Sequence, residues 1–448
     1  MIDKPPLAAN GVVCGISRFA IVGAGPSGLY TAQALRRALP GCEIDVLDRL
    51  PVPFGLIRYG VAPDHQGTKA ITRQFERLFE RDGVQFFGNV AVNTAVPVSL
   101  LTDFYDAVVL ATGLAGDRQI RIPGDGLEGV FGSGLVTRWL NSHPDECCTA
   151  PNLGPDVVIV GQGNVAIDIA RVLGKQAAEL ETSDMAQRQI SSLAQWNVRQ
   201  IDLVGRGLPS AARFDPAMIR ELATLQDVRI EVVWPNGNVG AGEGTVEAAR
   251  IQALRQIDGI ATGNATRTIR FRFNLVPNEI ISSDGGAPRV SALRCHDATT
   301  GDHVTIPASS VVTAIGFCAD TKPHTIERPG DGELPMELRR GLYATGWYRR
   351  GPRGTIPDCR QDAKLLAEAI AATQTPASGK LGRSALIAYL KTAAIRHVDY
   401  DGWLRIRARE DAAATAQRPR IKLQTIEEML TLATTVMAAE RAELEADR

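Results

Sequence analysis

Residues 18–28 read RFAIVGAGPSG. Four apolar residues, Phe19-Ala20-Ile21-Val22, form a strand that runs straight into Gly23-x-Gly25-x-x-Gly28, and a helix-forming run follows from Leu29 to Leu39. The first glycine permits a tight turn, the second lets a pyrophosphate approach the backbone, and the third allows close packing of helix on strand. The helix N-terminus adds free N–H groups and a partial positive charge. A second apolar strand, Glu43 to Leu47, ends at Asp48, the offset expected of an acid that hydrogen-bonds an adenosine ribose. The stretch therefore predicts a dinucleotide site, with Gly23, Gly25, Pro26, Ser27, Gly28 and Asp48 around it.

The bulk properties bound the alternatives. A chain of 448 residues is too long for one ordinary core and predicts two or three domains. An apolar content of 44% is ample for folding, and a formal charge of −1 argues against a generally basic nucleic-acid binder. No apolar run approaches the roughly 20 residues of a membrane helix. Residues 1–17 lack the pattern of a targeting peptide, so the cytoplasm is the expected compartment. Seven cysteines (Cys14, Cys42, Cys147, Cys148, Cys295, Cys318, Cys359) form no CxxC and no Cys/His cluster with metal spacing. No metal site is expected, and both a dithiol flavoprotein and an iron–sulfur cluster within the chain are disfavoured.

Beyond Asp48, residues 49–70 (RLPVPFGLIRYGVAPDHQGTKA) carry three prolines and three glycines, hence irregular backbone, yet also Phe54, Leu56, Ile57, Tyr59 and Val61. An apolar loop directly after a ribose-binding strand is placed to cover a ligand, and its single histidine is His65. Residues 69–82 have helical periodicity, with Ile71, Phe75, Leu78 and Phe79 on one face. A strand at 84–87 is followed by Asn89-Val90, and a buried strand at 105–110 ends in Ala111-Thr112-Gly113.

With GAGPSG upstream and Ala-Thr-Gly downstream, the loop GLIRYGVAPDHQGTK resembles the adrenodoxin-reductase-like branch of the ferredoxin–NADP reductases. The resemblance implies FAD at the first glycine motif, with Leu56 and Val90 among its contacts, and NADPH elsewhere in the chain.

Residues 116–155 are dotted with glycine and proline and read as a connection between two lobes. The fingerprint then repeats. Asp156 to Val160 is a strand, Gly161-Gln162-Gly163-Asn164-Val165-Ala166 a turn, and Ile167 to Leu173 a helix. Two such folds in one chain imply that two dinucleotides meet. By resemblance GQGNVAIDIAR holds NADPH, with pyrophosphate on the backbone at 163–166 and Asn164 helping to place the nicotinamide half. The polar stretch 174–198 reads as a solvated helical insertion. A strand at 200–204 ends in Gly205-Arg206, and an arginine there favours a 2′-phosphate. The family has a second arginine where Gly207 stands, which weakens discrimination against NADH unless Arg213 substitutes. In RFDPAMIREL (213–222), Glu221 matches the family glutamate paired with the loop histidine, and Arg118 matches an arginine on the pyridine nucleotide. Residues 228–315 read as short alternating strands, with a Gly-rich surface loop at 236–244.

A strand from Leu342 leads into Trp347, then a glycine-rich turn and a helix expected over 362–371. The family pattern GWxxRGPxGxI matches residue for residue and places Trp347, Gly354, Thr355 and Ile356 on the flavin. An amphipathic helix over 385–395, a charged segment and a final helix over 424–442 complete the chain.

These readings predict an α/β chain of two Rossmann-like nucleotide-binding domains, each a three-layer ββα unit, arranged as in glutathione reductase with the second inserted into the first. The FAD-binding domain is expected over 1–115 plus 325–448, and the NADP(H)-binding domain over 116–324. The resemblance implies a reductase that takes hydride from NADPH and passes single electrons to a ferredoxin or flavodoxin, with His65 and Glu221 handling the proton. Arg349, Arg350, Arg353 and Arg213 are candidates to attract an acidic acceptor. A monomer is expected. The alternatives are a diaphorase or flavin-reductase subunit, which typically brings cysteine clusters absent here, and a non-catalytic FAD/NADP sensor, against which the intact second motif speaks.

Overall fold

The computed structural model describes residues 16–146, 150–235, 246–283, 288–320, 322, 325–373 and 379–434. The loop expected at 236–244, Cys14, Cys147, Cys148 and the end of the final helix lie outside the described residues.

The chain opens with β1 (Arg18–Val22), α1 (Pro26–Ala38) and β2 (Glu43–Leu47). Pro26 fits the first turn of α1, where a missing N–H costs nothing. The segment expected to be irregular, 49–70, holds two single-turn helices, α2 (Leu56–Tyr59) and α3 (Gln66–Lys69). Then come α4 (Thr72–Glu80), β3 (Gln85–Phe87), α5 (Val98–Phe104) and β4 (Ala107–Leu110). Phe75, Leu78 and Phe79 of α4 are buried as their spacing predicts.

Residues 116–155 do more than connect. They supply β5 (Gly116–Asp117), β6 (Val130–Gly132) and α6 (Ser133–Leu140). Glycine and proline mark the turns, while the short apolar runs between them are structural. Next are β7 (Asp156–Val160), α7 (Asn164–Gly174), α8 (Ala177–Leu180), α9 (Gln187–Trp196), β8 (Gln200–Val204) and α10 (Pro216–Glu221). The stretch 174–198 is not a solvated insertion: Ser183, Asp184, Met185, Gln189 and Ile190 are buried, with Asp184 paired to Lys69 and Lys422 and Ser183 Oγ donating to Leu180 O. The region 228–315 contains β9 (Val228–Val233), a helix α11 (Val246–Ile257) among the expected strands, β10 (Arg267–Arg272), β11 (Leu275–Ser282), β12 (Val290–Asp297), β13 (His303–Pro307) and β14 (Ser310–Thr313). The chain returns through β15 (Phe317–Cys318), β16 (Glu337–Arg339), β17 (Leu342–Ala344), α12 (Gly346–Arg350), α13 (Ile356–Thr373), α14 (Arg383–Thr392) and α15 (Tyr400–Ala412). Helix α13 starts at Ile356, ahead of the expected Asp362, because Asp358 accepts the free amide of Thr355 and caps its first turn.

Two six-stranded sheets result. The first has the order β16-β17-β4-β1-β2-β3 and the second β6-β14-β7-β8-β10-β9. Every pair is parallel except β16–β17. The runs FAIV and VVIV are buried throughout, as strands covered on both faces require. On one face of the first sheet α1 and α13 pack through Leu29, Leu366 and Ile370. The other face carries Leu101 of α5 with Leu386 and Leu390 of α14. In the second lobe the antiparallel sheet β11-β12-β13 lies against Val158, Val160 and Val311, leaving α7 on the opposite face with Ile167 and Ala170. Each such buried aliphatic side chain contributes about 1.5–3 kcal/mol.

Register sets the site. Val22 is level with Leu47 and Leu110, and Leu110 with Ala344. Gly23, Asp48, Ala111 and Thr345 therefore leave the first sheet in one row. In the second, Val160 is level with Val204 and Thr313, so Gly161, Gly205 and Ala314 form the matching row.

Candidate active site

Each glycine motif sits at the C-terminal edge of its sheet, where ligands of parallel α/β sheets bind. At the first, Gly23 has φ +112°, and a Cβ there would lie 2.5 Å from Ala111 O. A Cβ on Gly28 would lie 2.0 Å from Gly23 O, so these two glycines are fixed by packing. Gly25 differs: the nearest protein atom to its Cβ position is 3.9 Å away, and at Gly163 of the second motif nothing lies within 4 Å. Gly25 and Gly163 are the N-caps of α1 and α7, neither helix has a side-chain cap, and neither first turn holds an acid. Open space before two uncapped, acid-free helix N-termini fits two pyrophosphates.

Asp48 Oδ2 accepts from the Ala24 amide at 2.8 Å and Oδ1 from the Leu50 amide at 2.9 Å. Burial raises its carboxyl above the usual range, against the pull of these amides. Asp48 thus braces the glycine turn through both carboxylate oxygens. Val90 is buried, and its amide donates to Asp48 O; it packs behind the acid. The covering loop is anchored on the turn by Phe54 N to Ala24 O at 2.9 Å, and Gly55 rests on Gly25 so closely that a Cβ would meet Gly25 Cα at 2.9 Å. Leu56, one residue on, is 42% exposed, an apolar side chain left beside the open turn.

The returning chain closes over α1. Ser27 Oγ donates to Cys359 Sγ at 3.3 Å, and Gly346 fits against Ser27 only because it has no Cβ. Trp347 Nε1 donates to Gly354 O at 3.2 Å, and its ring stacks on Phe317 with centroids 5.4 Å apart. The amide and hydroxyl of Thr355 donate to Asp358, and Ile356 opens α13. Buried Asp362 accepts from Gly346 N at 2.6 Å, Thr345 Oγ1 at 3.0 Å, Arg349 at 2.7 Å and Arg350 at 3.4 Å. Arg349 and Arg350 are therefore internal ion-pair partners with side chains only 12% and 15% exposed, not a steering patch. Asp362, far along the sequence, draws them inward. Arg353 and Arg213 remain exposed.

In the second lobe Gln162 reaches over the strand ends, donating to Leu203 O and Arg272 O, in space that a Cβ on Gly205 would take. Asn164 Oδ1 accepts from Asp215 N at 2.7 Å, and Asp215 caps α10. Asn164 thus sets the start of the helix that ends in Glu221. Ala166 is buried, fitting the third-glycine position, and Val165 is half-buried beside it. Arg206 stands exposed just past β8, while Arg213 pairs by backbone with Gly163. Arg118 donates through Nε to Phe317 O at 3.2 Å and is otherwise exposed.

Between the lobes, His65 Nε2 lies 3.0 Å from Glu221 Oε2, and His65 Nδ1 lies 3.5 Å from Asp168 Oδ1 and from Arg171 Nη2. Arg171 also donates to Asp168 at 2.6 Å and binds Asp64, which Lys175 reaches at 2.7 Å. Burial pushes the Asp64 carboxyl up, but the two cations more than offset it and hold it below the usual range. Burial raises Asp168 in spite of Arg171. The sequence reading passed over Asp168 and Arg171, although both lie in the stretch GQGNVAIDIAR, three apart on one helix face. Glu221 is 47% exposed and His65 23%, so the pair opens to solvent.

Two sheets with a nucleotide turn on each, and an acid–imidazole pair where they meet, define a two-dinucleotide oxidoreductase. The family described as Pyridine nucleotide-disulphide oxidoreductase matches residues 17–201. Among the described residues the disulphide in that description has no counterpart, since Cys42, Cys295, Cys318 and Cys359 are free. Cindoxin reductase of Citrobacter braakii is 40% identical, the alignment covering 92% of this chain and 90% of that one. The mitochondrial NADPH:adrenodoxin oxidoreductase of Bos taurus is 32% identical over 92% of this chain and 91% of its own. The structure of Mycobacterium tuberculosis FprA in complex with NADPH superposes with a TM-score of 0.83 at 30% identity, covering 93% of this chain and 99% of that one. The chain belongs to the adrenodoxin-reductase-like family of NADPH–ferredoxin reductases.

Proposed function

We propose that this protein is an FAD-containing NADPH oxidoreductase that passes electrons singly to a ferredoxin-type iron–sulfur protein. The observation that carries the reading is the His65–Glu221 pair at 3.0 Å, one residue from the loop over the first glycine turn and the other from the helix after the second. FAD, when bound, supplies the conversion of a two-electron hydride equivalent into single electrons. In this reading residues 1–115 with 325–448 hold FAD, and residues 116–324 hold NADP(H).

The chain's own residues bind, orient and move a proton. The free amides at the start of α1 and α7 bind the two pyrophosphates. Asp48 takes a ribose hydroxyl, and Arg206 the 2′-phosphate. Arg118 and the free Nδ2 of Asn164 lie on the pyridine-nucleotide side. Leu56, Trp347 and residues 354–356 enclose the flavin ring, with the N-terminus of α13 favouring negative charge there. His65 Nε2 holds a proton against Glu221 Oε2, while Asp168 and Arg171 fix the other ring nitrogen.

In this reading the working unit is a monomer. The four free cysteines among the described residues support a cytoplasmic setting. A flavodoxin is a second acceptor class to be assayed beside ferredoxin. An anaerobic titration of the flavin-loaded protein with NADPH, and separately NADH, tests the reading. Rapid bleaching by NADPH is expected, and no bleaching with either would leave the sensor reading ahead.

A further inference from the structure

We propose that Asp184, with Lys69, is a positioning residue for His65. The inference rests on the reading of His65 and Glu221 as the working pair.

Asp184 lies between α8 and α9 in the second lobe and grips the histidine loop of the first on both sides. Its amide donates to Pro63 O at 3.1 Å, two residues before His65. Its carboxylate accepts from Lys69 Nζ at 2.8 and 2.9 Å, four residues after. Lys69 closes α3, whose N-cap is His65 itself. The same ammonium reaches Asn141 Oδ1 at 2.7 Å, tying the loop to the end of α6. Lys422 binds Asp184 from the tail at 3.2 Å and Asn141 O at 2.9 Å.

The site of this ion pair is costly. The side chains of Lys69, Asp184 and Lys422 are 9%, 4% and 0% exposed. Burial lowers both ammonium groups, and they share one carboxylate. Apolar residues of like volume often serve stability as well as a buried ion pair does. What they could not do is tie the Lys69 side chain, and with it the end of α3, to the second lobe by directional bonds. Arg171 of α7 and Lys175, its C-cap, clamp Asp64, so the residue before His65 is held from the second lobe as well.

Two variants of the flavin-loaded protein test this. Lys69→Met leaves Asp184 paired with Lys422, so no buried charge is stranded, and it is the deciding variant; Asp184→Asn keeps an acceptor for Lys69 but leaves two buried ammonium groups without a carboxylate. In both, the His65 ring ¹H–¹³C cross-peak, assigned by its loss in His65→Gln, is expected to move. The limiting rate of bleaching by NADPH is expected to fall about tenfold, while the half-saturating NADPH concentration stays within about twofold, as for a misplaced reacting group. A lowered melting temperature with an unmoved cross-peak and an unchanged limiting rate overturns the proposal. Should NADPH fail to bleach even the parent protein, the reductase reading falls. The cross-peak alone then decides: movement supports positioning, and its absence refutes it.

Discussion

His65 Nε2 stands 3.0 Å from Glu221 Oε2, although 156 residues separate the two and they belong to different lobes. Replacing either by glutamine keeps size but removes the charge couple. Each single variant should slow flavin reduction by about 10²-fold, in the range of a lost acid–base group. The double variant should be no slower than the worse single one, because the two act as a unit. Stopped-flow reduction across pH 6 to 9 checks this, and kinetics unchanged over that range would end the proton-handling role.

The two open glycines separate fold from ligand. Gly25→Ala and Gly163→Ala place a methyl where no protein atom lies closer than 3.9 Å, and both backbones have negative φ. Stability should stay within about 0.5 kcal/mol. Gly25→Ala should lose bound flavin, read from absorbance after gel filtration. Gly163→Ala should keep its flavin and raise the KM for NADPH. Gly28→Ala, by contrast, meets the Gly23 carbonyl at 2.0 Å and should destabilise the protein itself.

Arg206 is the one arginine at the end of β8, with Gly207 next to it. Arg206→Ala should raise the KM for NADPH by about tenfold, one lost charge-assisted contact, and leave NADH unaffected. Gly207→Arg should widen the NADPH/NADH ratio of kcat/KM. The Cβ it adds comes within 3.3 Å of Ala211 Cβ, a contact that a small shift relieves.

Asp362 links stability to pH. Burial pushes its carboxyl up, but Arg349, the Gly346 amide and the Thr345 hydroxyl more than offset this and hold it below the usual range. With the folded value below the unfolded one, the stabilisation is complete above the unfolded value of about 3.9 and disappears as pH falls through the folded value. Asp362→Asn should therefore cost about 3–5 kcal/mol at pH 7 by urea unfolding. The gap to the parent should shrink below about pH 4.

Both nucleotide turns are legible from sequence because their physics is local: an apolar strand, glycines at fixed spacing, a helix start. His65 and Glu221 are found only through resemblance, since no spacing joins residues so far apart. What misleads is buried charge. Asp184 sits in a stretch whose polarity reads as solvated, and Arg349 and Arg350 look like surface cations until Asp362 is seen to accept from both. Paired and solvated charges have the same letters, and only the fold separates them. Helix α11 is missed because it lies among strands and its alanines signal no period.

The two crossings between the lobes lie side by side, Phe317 opposite Asp117 and Cys318 opposite Gly116. Asp117 also binds the amides of Gly134 and Leu135 at the start of α6, and Phe317 stacks on Trp347. A segment whose two ends emerge through one doorway behaves as a cassette. Exchange of the whole segment would leave every strand of the first sheet with its neighbours. Such a graft has to match the doorway's two short strands and bring its own counterparts of Asp184 and Asn141.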